Sequence, residues 1–271
     1  MTVEERIYKL QEAFQIGKLE GELSGIKNEY HFETSLSNEY TSVAFEGCSM
    51  SIAMTSIKNR DSLIDWHLFS STKGKNYLSQ IHIGLGWALA ELQLPIQQYL
   101  ISIDPKWQLR VLDGFGYYSG LFRRREAIRN MSFPTQIPEE LYAGYNQGIG
   151  RFLYYLAHGD VERLERNIEL FPNHRHSDFW RGIGIAATFI GGLNEKSINR
   201  ITQSSGKHEK QFMIGVELAT NSLKKAAGFD ENSEKVRIGV IKGKSDFMQH
   251  IQDVETKHYA TVELFLAALN A

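Results

Sequence analysis

Six charged side chains lie inside otherwise apolar stretches, each within four positions of a recurring glycine, and they are the residues of this chain best suited to chemistry. They are Glu46, Asp113, Arg151, Asp178, Arg181 and Glu217. A carboxyl group that is buried among apolar side chains has a raised pKa and can act as a general acid. The pattern therefore indicates acid–base or electrostatic catalysis that depends on side chains alone.

Two carboxyl groups are the favoured acids, Asp113 and Glu46, with Tyr117 and Arg151 as their hydrogen-bonding and charge partners. If the apolar helices enclose a cavity, Asp113 is partly desolvated and its neutral form is favoured, unless Arg151 lies within ion-pair distance. The residues expected to bind a substrate are Trp87, Tyr118, Tyr154, Asp178, Trp180 and Arg181.

The same residues also admit a structural interpretation. Carboxylates near a helix N-terminus complement its dipole. Arg151 and Arg181 can serve as structural ion-pair partners of Asp113 or Asp178 in adjacent units. Each aromatic residue taken alone is more often ordinary core. The sequence leaves both interpretations open.

The sequence predicts neither a metal nor a cofactor. His174, His176 and Asp178 cluster near a turn, where exposed histidines are the ordinary case, and no His-Glu-x-x-His pattern occurs. The Gly-x-Gly motifs lack the third glycine and the βαβ context of a dinucleotide-binding fingerprint.

The elements that position these residues recur along the chain. Gly-x-Gly opens an apolar run at residues 84–86, 114–116, 148–150 and 182–184, and weaker versions occur at Gly47 and Gly215. The spacing near 34 residues is typical of repeat architectures. We therefore expect an all-α protein of helical-hairpin repeats that form a curved solenoid or a closed α/α toroid, with the glycines allowing neighbouring helices to approach closely.

Each unit has an apolar helix, then a glycine, then Asp or Asn at the start of a charged helix. The expected N-caps are Asp104, Asp160, Asn194 and either Asp230 or Asn232. We divide the chain into an N-terminal helix and leading strap, residues 1–42, and an α/α repeat domain, residues 43–271. The last expected helix covers residues 245–270.

Composition limits the possible partners. The 271 residues carry a formal net charge of −2, which gives no electrostatic reason to bind nucleic acid. No apolar run is long enough to span a membrane, and the N-terminus lacks the features of a signal peptide. The single cysteine, Cys48, excludes an internal disulfide. We expect a cytoplasmic protein.

Five motifs in order resemble a bacterial family of unknown function that is encoded beside enediyne polyketide synthases and in other natural-product clusters. They are Phe45-Glu-Gly-Cys-Ser-Met50, Gly84-Leu-Gly-Trp-Ala-Leu-Ala90, Asp113-Gly-Phe-Gly116, Gln147-Gly-Ile-Gly-Arg151 and the stretch 171–192. The resemblance covers about residues 43–220. The chain departs from it in its leading segment and in Tyr117-Tyr118, where the family has a histidine. The resemblance implies a role in specialised metabolism and no assigned reaction.

Two functions follow as expectations. The first is a cofactor-independent enzyme that cyclises or isomerises a polyene, polyketide or isoprenoid chain in an aromatic-lined cavity. The second is a non-catalytic helical-repeat module that binds a carrier protein or another pathway partner. An enclosed cavity with convergent polar groups would favour the enzyme, and a solid core with an exposed groove would favour the module.

Overall fold

The computed structural model describes residues 1–27 and 29–241, and this part of the chain folds into helices joined by short turns, without a β-strand. The all-α prediction is confirmed. The α-helices in chain order are α1 (Val3–Ser24), α2 (Phe32–Ser35), α3 (Asn38–Arg60), α4 (Ile64–Ser71), α5 (Leu78–Glu91), α6 (Gln97–Leu100), α7 (Pro105–Phe122), α8 (Tyr142–Ala157), α9 (Val161–Glu169), α10 (His176–Ile190), α11 (Glu195–Ser205), α12 (Glu209–Lys225) and α13 (Glu231–Ile241).

The N-caps that the sequence indicates are present. The side chains of Asp104, Asp160 and Asn194 accept hydrogen bonds from backbone N–H groups in the first turns of α7, α9 and α11. Of the two candidates for α13, Asp230 accepts from the backbone of Ser233 at 2.8 Å. Each cap satisfies one of the donors that a helix start leaves unpaired. The expected helix at residues 245–270 lies outside the described residues.

The Gly-x-Gly motifs bring the apolar helices into backbone contact on two opposite sides. A Cβ atom added to the first glycine of a motif, as in Gly148 or Gly182, would lie 1.9–2.2 Å from a carbonyl oxygen of the preceding helix. One added to the second, as in Gly150, would lie 2.0–2.2 Å from a carbonyl oxygen of the following helix. Residues two apart in an α-helix point in nearly opposite directions. The motif therefore allows one helix to pack closely between two others.

The contacts follow a fixed register. The first glycine of each motif meets the residue that directly precedes the corresponding glycine one helix earlier. These pairs are Gly84 with Glu46, Gly114 with Ile83, Gly148 with Asp113, Gly182 with Gln147 and Gly215 with Arg181. Helices α3, α5, α7, α8, α10 and α12 thus pack in chain order, and equivalent residues of successive helices lie side by side.

The leading helix packs in the same way. α1 continues through Gly17 to Ser24, and a Cβ atom added at Gly17 would lie 1.8 Å from the carbonyl oxygen of Ala44. The boundary expected between residues 42 and 43 falls inside α3, a continuous helix. The structure therefore shows no division at this point.

Neighbouring helices of the stack run in the same direction. Gly144 of α8 lies beside Leu112 of α7, and Gly120 of α7 lies beside Phe152 of α8. Later residues of α7 therefore lie beside later residues of α8, which means that the two helices are parallel. The intervening segments return the chain to the start of the next helix. Within the described part of the chain, no helix combines the length and the apolar character needed to cross a bilayer.

Candidate functional site

A cavity of about 490 Å³ lies among α1, α3, α5, α7, α8 and α10. Most of its wall is aliphatic or aromatic, and the polar side chains that reach it include Glu46 on α3 and Arg151 on α8. The volume lies within the usual range for small-molecule sites. Because the glycine register holds the six helices close together, Glu46, Trp87, Tyr117 and Arg151 converge on one space although they are distant in sequence.

Glu46 is the carboxyl group that faces the cavity. It is buried, with 4% of its surface exposed. The indole N–H of Trp87 acts on it as a weak donor, outside the geometry of a normal hydrogen bond. Burial raises its pKa to about 7, and the neighbouring carboxylate of Asp113 adds to this, while Arg151 and the indole of Trp87 act in the opposite direction. Glu46 therefore holds a proton near neutral pH that it can release into the cavity.

Asp113 lies behind the cavity wall and is fully buried. Arg151 Nη1 donates to its Oδ1 at 2.8 Å, and Gln147 Nε2 donates to its Oδ2 at 2.5 Å. Both carboxylate oxygens therefore have a donor. The condition that removes Asp113 as a proton donor, an arginine within ion-pair distance, is met.

Arg151 interacts with both carboxyl groups, through a salt bridge with Asp113 and through its charge with Glu46. Burial disfavours its charged form, but the negative charge of Asp113, to which Glu46 adds when it is ionised, outweighs this and raises the pKa of Arg151, so Arg151 stays protonated. Its guanidinium group stacks over the ring of Tyr117 at 4.7 Å from the ring centroid. Arg151 thus presents a fixed positive charge to the cavity, oriented from behind by Asp113.

A chain of hydrogen bonds, which we call the polar ladder, extends from Asp113 across α8 to α10. Arg181 Nε donates to Gln147 Oε1 at 2.6 Å, and Arg181 Nη2 contacts Asp178 Oδ1 at 3.5 Å. Asn146 donates to the other oxygen of Asp178 at 3.3 Å. Burial raises the pKa of Asp178, against the opposing effects of Arg181 and Asn146.

Arg175 ends the polar ladder. Its Nε donates to Asn146 Oδ1 at 2.9 Å and its Nη1 donates to the carbonyl of Met131 at 3.0 Å. The structural interpretation of Asp178 and Arg181 therefore describes their contacts correctly, because they bind each other and Gln147 and lie outside the cavity wall.

Aromatic rings form one side of the cavity. Trp87 contacts Phe14 and Tyr117, with ring centroids 4.6 and 5.3 Å apart, and Tyr117 contacts Tyr155 at 6.2 Å. Burial raises the pKa of Tyr117, so its hydroxyl group stays protonated and can donate a hydrogen bond. The indole N–H of Trp87 is buried without a partner of normal geometry among the described residues.

Three aromatic residues expected to bind a substrate lie elsewhere. Tyr118 is not part of the cavity wall, and its hydroxyl group donates to Glu91. Tyr154 is fully buried, and Trp180 packs edge-on against Phe212 at 5.8 Å. These residues are core, as the alternative interpretation has it, and Trp87 is the aromatic substrate-binding candidate that lines the cavity.

Sequence reasoning missed two groups of residues. One is the wall supplied by α1, which includes Ile7, Leu10 and Phe14, because residues 1–42 were treated apart from the stack. The other is Gln147, whose signal was visible: Asp113, Gln147 and Arg181 each directly precede a motif glycine and follow one another at 34 residues. Equivalent positions in successive parallel helices touch, so this spacing predicts their contact.

His174 lies in the turn before α10, and His176 is the first residue of α10. His176 Nε2 lies 2.8 Å from the carbonyl oxygen of Phe171. Throughout residues 1–27 and 29–241, no group of three or more histidine, cysteine, aspartate or glutamate side chains is placed to hold a metal ion.

The described residues form an all-helical fold with a mainly apolar cavity, and the wall of this cavity includes the carboxyl group of Glu46 and the ion-paired Arg151. The chain belongs to the DUF1702 family, described as proteins of unknown function, whose model matches residues 22–259. No curated protein and no solved structure matches the chain.

Proposed function

We propose that this protein is a cofactor-independent enzyme of natural-product biosynthesis that isomerises or cyclises an apolar chain in the cavity beside Glu46. The observation that carries the proposal is a single one. A buried carboxyl group with a pKa of about 7 faces a space of about 490 Å³ whose other walls are mainly apolar and aromatic. A general acid works best when its pKa lies near the working pH.

The proposed step is a proton transfer that leaves no net charge. Protonated Glu46 donates its hydrogen to a carbonyl oxygen or an alkene carbon of the substrate, and its carboxylate later takes a proton from a neighbouring carbon. Double bonds move or a ring closes between the two transfers, without an oxidant or a reductant. Arg151 lies where negative charge on a substrate oxygen would be stabilised, which favours a carbonyl-bearing chain such as a polyketide.

The walls of the cavity orient the substrate. The faces of Trp87 and Tyr117 can pack against conjugated carbon atoms, and the Tyr117 hydroxyl and the Trp87 indole N–H are donors for substrate oxygens. Because both belong to rigid helices of the stack, the cavity is formed before a substrate enters it, which limits the entropy lost on binding.

The finer architecture belongs to the same proposal. α1 packs on α3 by glycine contacts, and its Arg6 also reaches α10, where it donates to the carbonyl of Ile190, and the start of α13, where it pairs with Asp230 at 2.9 Å. These contacts support a strongly curved or closed array of helical repeats with the cavity inside the curve. We place the enzyme in the cytoplasm, and its biosynthetic context rests on the family resemblance.

The second candidate, a carrier-binding module, is favoured by one observation at the mouth of the cavity. Phe122 is 63% exposed there, and the arginines that follow, Arg124, Arg125 and Arg129, are exposed. Arg124 also lines the cavity. A basic and aromatic rim of this kind suits the acidic surface of a carrier protein.

The two functions separate in one experiment. The gene is deleted in its host, accumulated metabolites are measured by mass spectrometry, and the deletion is complemented with the wild type, with Glu46→Gln or with Arg124→Gln/Arg129→Gln. For the enzyme, Glu46→Gln should lower product by 100-fold or more, since loss of a general acid typically costs about 10²–10⁴-fold. A folded Glu46→Gln protein that restores full production, combined with failure of the double arginine variant, would establish the module instead.

A further inference from the structure

A second cavity, of about 650 Å³, lies at the opposite end of α5 and α7 from the Glu46 cavity. Its walls come from the turn before α5, the first turn of α5, the first two turns of α7 and the C-terminal half of α12. The Glu46 cavity touches the same two helices more than one turn further along, at Trp87 and Tyr117. The two spaces are therefore separate sites with separate chemistry.

Every ionisable side chain in the wall of this second cavity is basic. They are Lys75, Lys106, Arg110 and Lys225. Lys106 is paired with the nearby Asp104 at 2.7 Å, whereas the other three form no ion pair with any described residue. The chain as a whole carries a formal charge of −2, so this local excess of positive charge is not a consequence of composition. Like charges gathered in a concave space attract a ligand of the opposite sign.

The cavity also contains neutral hydrogen-bond donors. The first turn of α5 contributes Ser79 and Gln80, and its N-cap residue, Tyr77, provides no side-chain cap for the N–H groups of that turn. Gln80 is 1% exposed and donates to Ser222 at 2.8 Å, which ties α5 to α12 across the cavity. Uncapped N–H groups at a helix start favour anions, and here they add to the effect of the cations.

The remaining wall is suited to a ring. Trp107 is half-buried and stacked on His82, with ring centroids 5.2 Å apart, and Leu218 of α12 lines the same space. An indole held in place by a second ring offers a fixed edge and face to a planar group. The cavity thus combines a cationic part with an aromatic part.

We propose that this second cavity binds an organic diphosphate, with its diphosphate group between Arg110, Lys75 and Lys225 and its organic group beside Trp107. A single phosphate carries about −1.5 to −2 charges at pH 7, which is less than the charge of three unpaired cations, so a diphosphate matches the site better. Arginine and lysine are the side chains that recognise phosphate groups in proteins. A nucleoside diphosphate has the size and the planar group that the cavity accommodates.

Calorimetric titration of the full-length protein tests this, with inorganic pyrophosphate, adenosine diphosphate and inorganic phosphate as the probes. We expect pyrophosphate to bind, phosphate to bind at least 10-fold more weakly, and adenosine diphosphate to bind more tightly than pyrophosphate. The pyrophosphate affinity should fall as salt concentration rises, because the contacts are ionic. No heat with any of the three, or equal affinity for phosphate and pyrophosphate, would overturn the proposal.

Two lysines of α12 provide a matched pair of variants. Lys225 lines the cavity, whereas Lys210 is exposed at the other end of the same helix, outside the cavity wall. Lys225→Gln should weaken pyrophosphate binding about 10-fold, Arg110→Gln/Lys225→Gln should abolish it, and Lys210→Gln should leave it unchanged. Equal loss in both lysine variants would show attraction to the surface in general and refute the site. If the double variant fails to melt cooperatively, Lys225→Gln decides alone.

The organic part of the ligand has its own test. Trp107→Leu should remove the preference for adenosine diphosphate over pyrophosphate and leave pyrophosphate binding in place. A variant that keeps the full preference would remove the ring contact from the proposal. Neither result depends on the Glu46 cavity, so the two proposals stand or fall separately.

Discussion

Glu46 and Asp113 occupy the same position in their helices, directly before the first glycine of a motif, yet their surroundings differ. Glu46 faces the Glu46 cavity and has only a weak contact with the indole of Trp87, whereas both oxygens of Asp113 accept hydrogen bonds from α8. Both are at least 96% buried, at 4% and 0% exposure. Burial alone therefore does not determine whether a carboxyl group can donate a proton. The hydrogen-bond partners that the neighbouring helix supplies determine it.

The difference can be traced to the equivalent residue in the next helix. For Asp113 this residue is Gln147, which donates a hydrogen bond, and for Glu46 it is Ile83, which cannot. The polar ladder thus stops at Asp113, and Glu46, beyond the apolar Ile83, has the more distant charge of Arg151 and the indole of Trp87 as its polar neighbours. The apolar Ile83, in place of a hydrogen-bond donor, is thus the difference between the structural carboxylate of Asp113 and the candidate acid Glu46.

The largest expected effect breaks the polar ladder through its backbone. Gly182→Leu places a side chain where even a Cβ atom would lie 1.9 Å from the carbonyl oxygen of Gln147, so α8 and α10 must separate. Overpacking costs about 1–3 kcal/mol against movable side chains, and we expect at least about 4 kcal/mol against backbone. Denaturant unfolding of the variant and the wild type measures this loss in the free energy of unfolding.

Gly206→Ala is the control for that substitution. Gly206 has a φ of +47° but open space around it, so the change should cost only about 1 kcal/mol of backbone strain. Similar losses in the two variants would show that glycine flexibility, and not close helix contact, is what the motif provides.

The next effect concerns the buried ion pair. Asp113→Asn removes the negative charge that pairs with Arg151. Leaving one member of a buried ion pair without its partner lowers the free energy of unfolding by about 3 kcal/mol. The loss of that charge should also lower the pKa of Glu46, because the Asp113 carboxylate is one of its causes. Unfolding free energy and a pH titration of the variant measure the two consequences.

The same variant tests Asp113 as a proton donor. A variant that loses product formation while its unfolding free energy stays at the wild-type value would return Asp113 to the role of proton donor. A variant that is less stable yet still makes product in proportion to its folded fraction fits the structural role.

Sequence reasoning recovered the helices, four N-caps and the purpose of the glycines, because these depend on local spacing. It paired Arg151 with Asp113 and Arg181 with Asp178 as one of two interpretations. It could not choose between Asp113 and Glu46, since the choice depends on how far the helices are rotated about their axes. That rotation follows from the glycine register, which only contacts between helices reveal. The wall from α1 was missed because Gln15-Ile16-Gly17 lacks the first glycine.

A smaller effect is expected from the pH dependence of stability. The pKa of Glu46 is about 7 in the folded state against an ordinary value of 4.5, so the folded state holds the extra proton between these values. The free energy of unfolding therefore falls as the pH rises from about 4.5 to 7. Glu46→Gln should remove this fall and be about 1–3 kcal/mol more stable than the wild type at pH 8, with little difference at pH 4.5.

Chemical denaturation at both pH values checks this, with Glu12→Gln, an exposed carboxyl on α1, as the control. A Glu46→Gln protein that loses stability equally at pH 4.5 and pH 8 would mean that the ionised carboxylate stabilises the fold, which contradicts its role as a protonated acid.

The smallest expected effect on stability separates two adjacent tyrosines of α7. The Tyr117 hydroxyl faces the Glu46 cavity and makes no hydrogen bond with a described residue, while the Tyr118 hydroxyl donates to Glu91. Tyr117→Phe keeps the ring over which Arg151 stacks, so the unfolding free energy should change by less than about 0.5 kcal/mol. Tyr118→Phe loses a partly buried hydrogen bond and should cost about 0.5–1.5 kcal/mol.

Product formation should show the reverse order, because only the Tyr117 hydroxyl can reach a substrate, and a lost hydrogen bond in the transition state lowers the rate about 10-fold. Complementation of the deletion strain by each variant, with melting curves beside it, measures both quantities. If Tyr118→Phe lowers product as much as Tyr117→Phe at equal folded protein, the cavity wall does not distinguish the two hydroxyl groups, and the boundary drawn here between cavity and core is wrong.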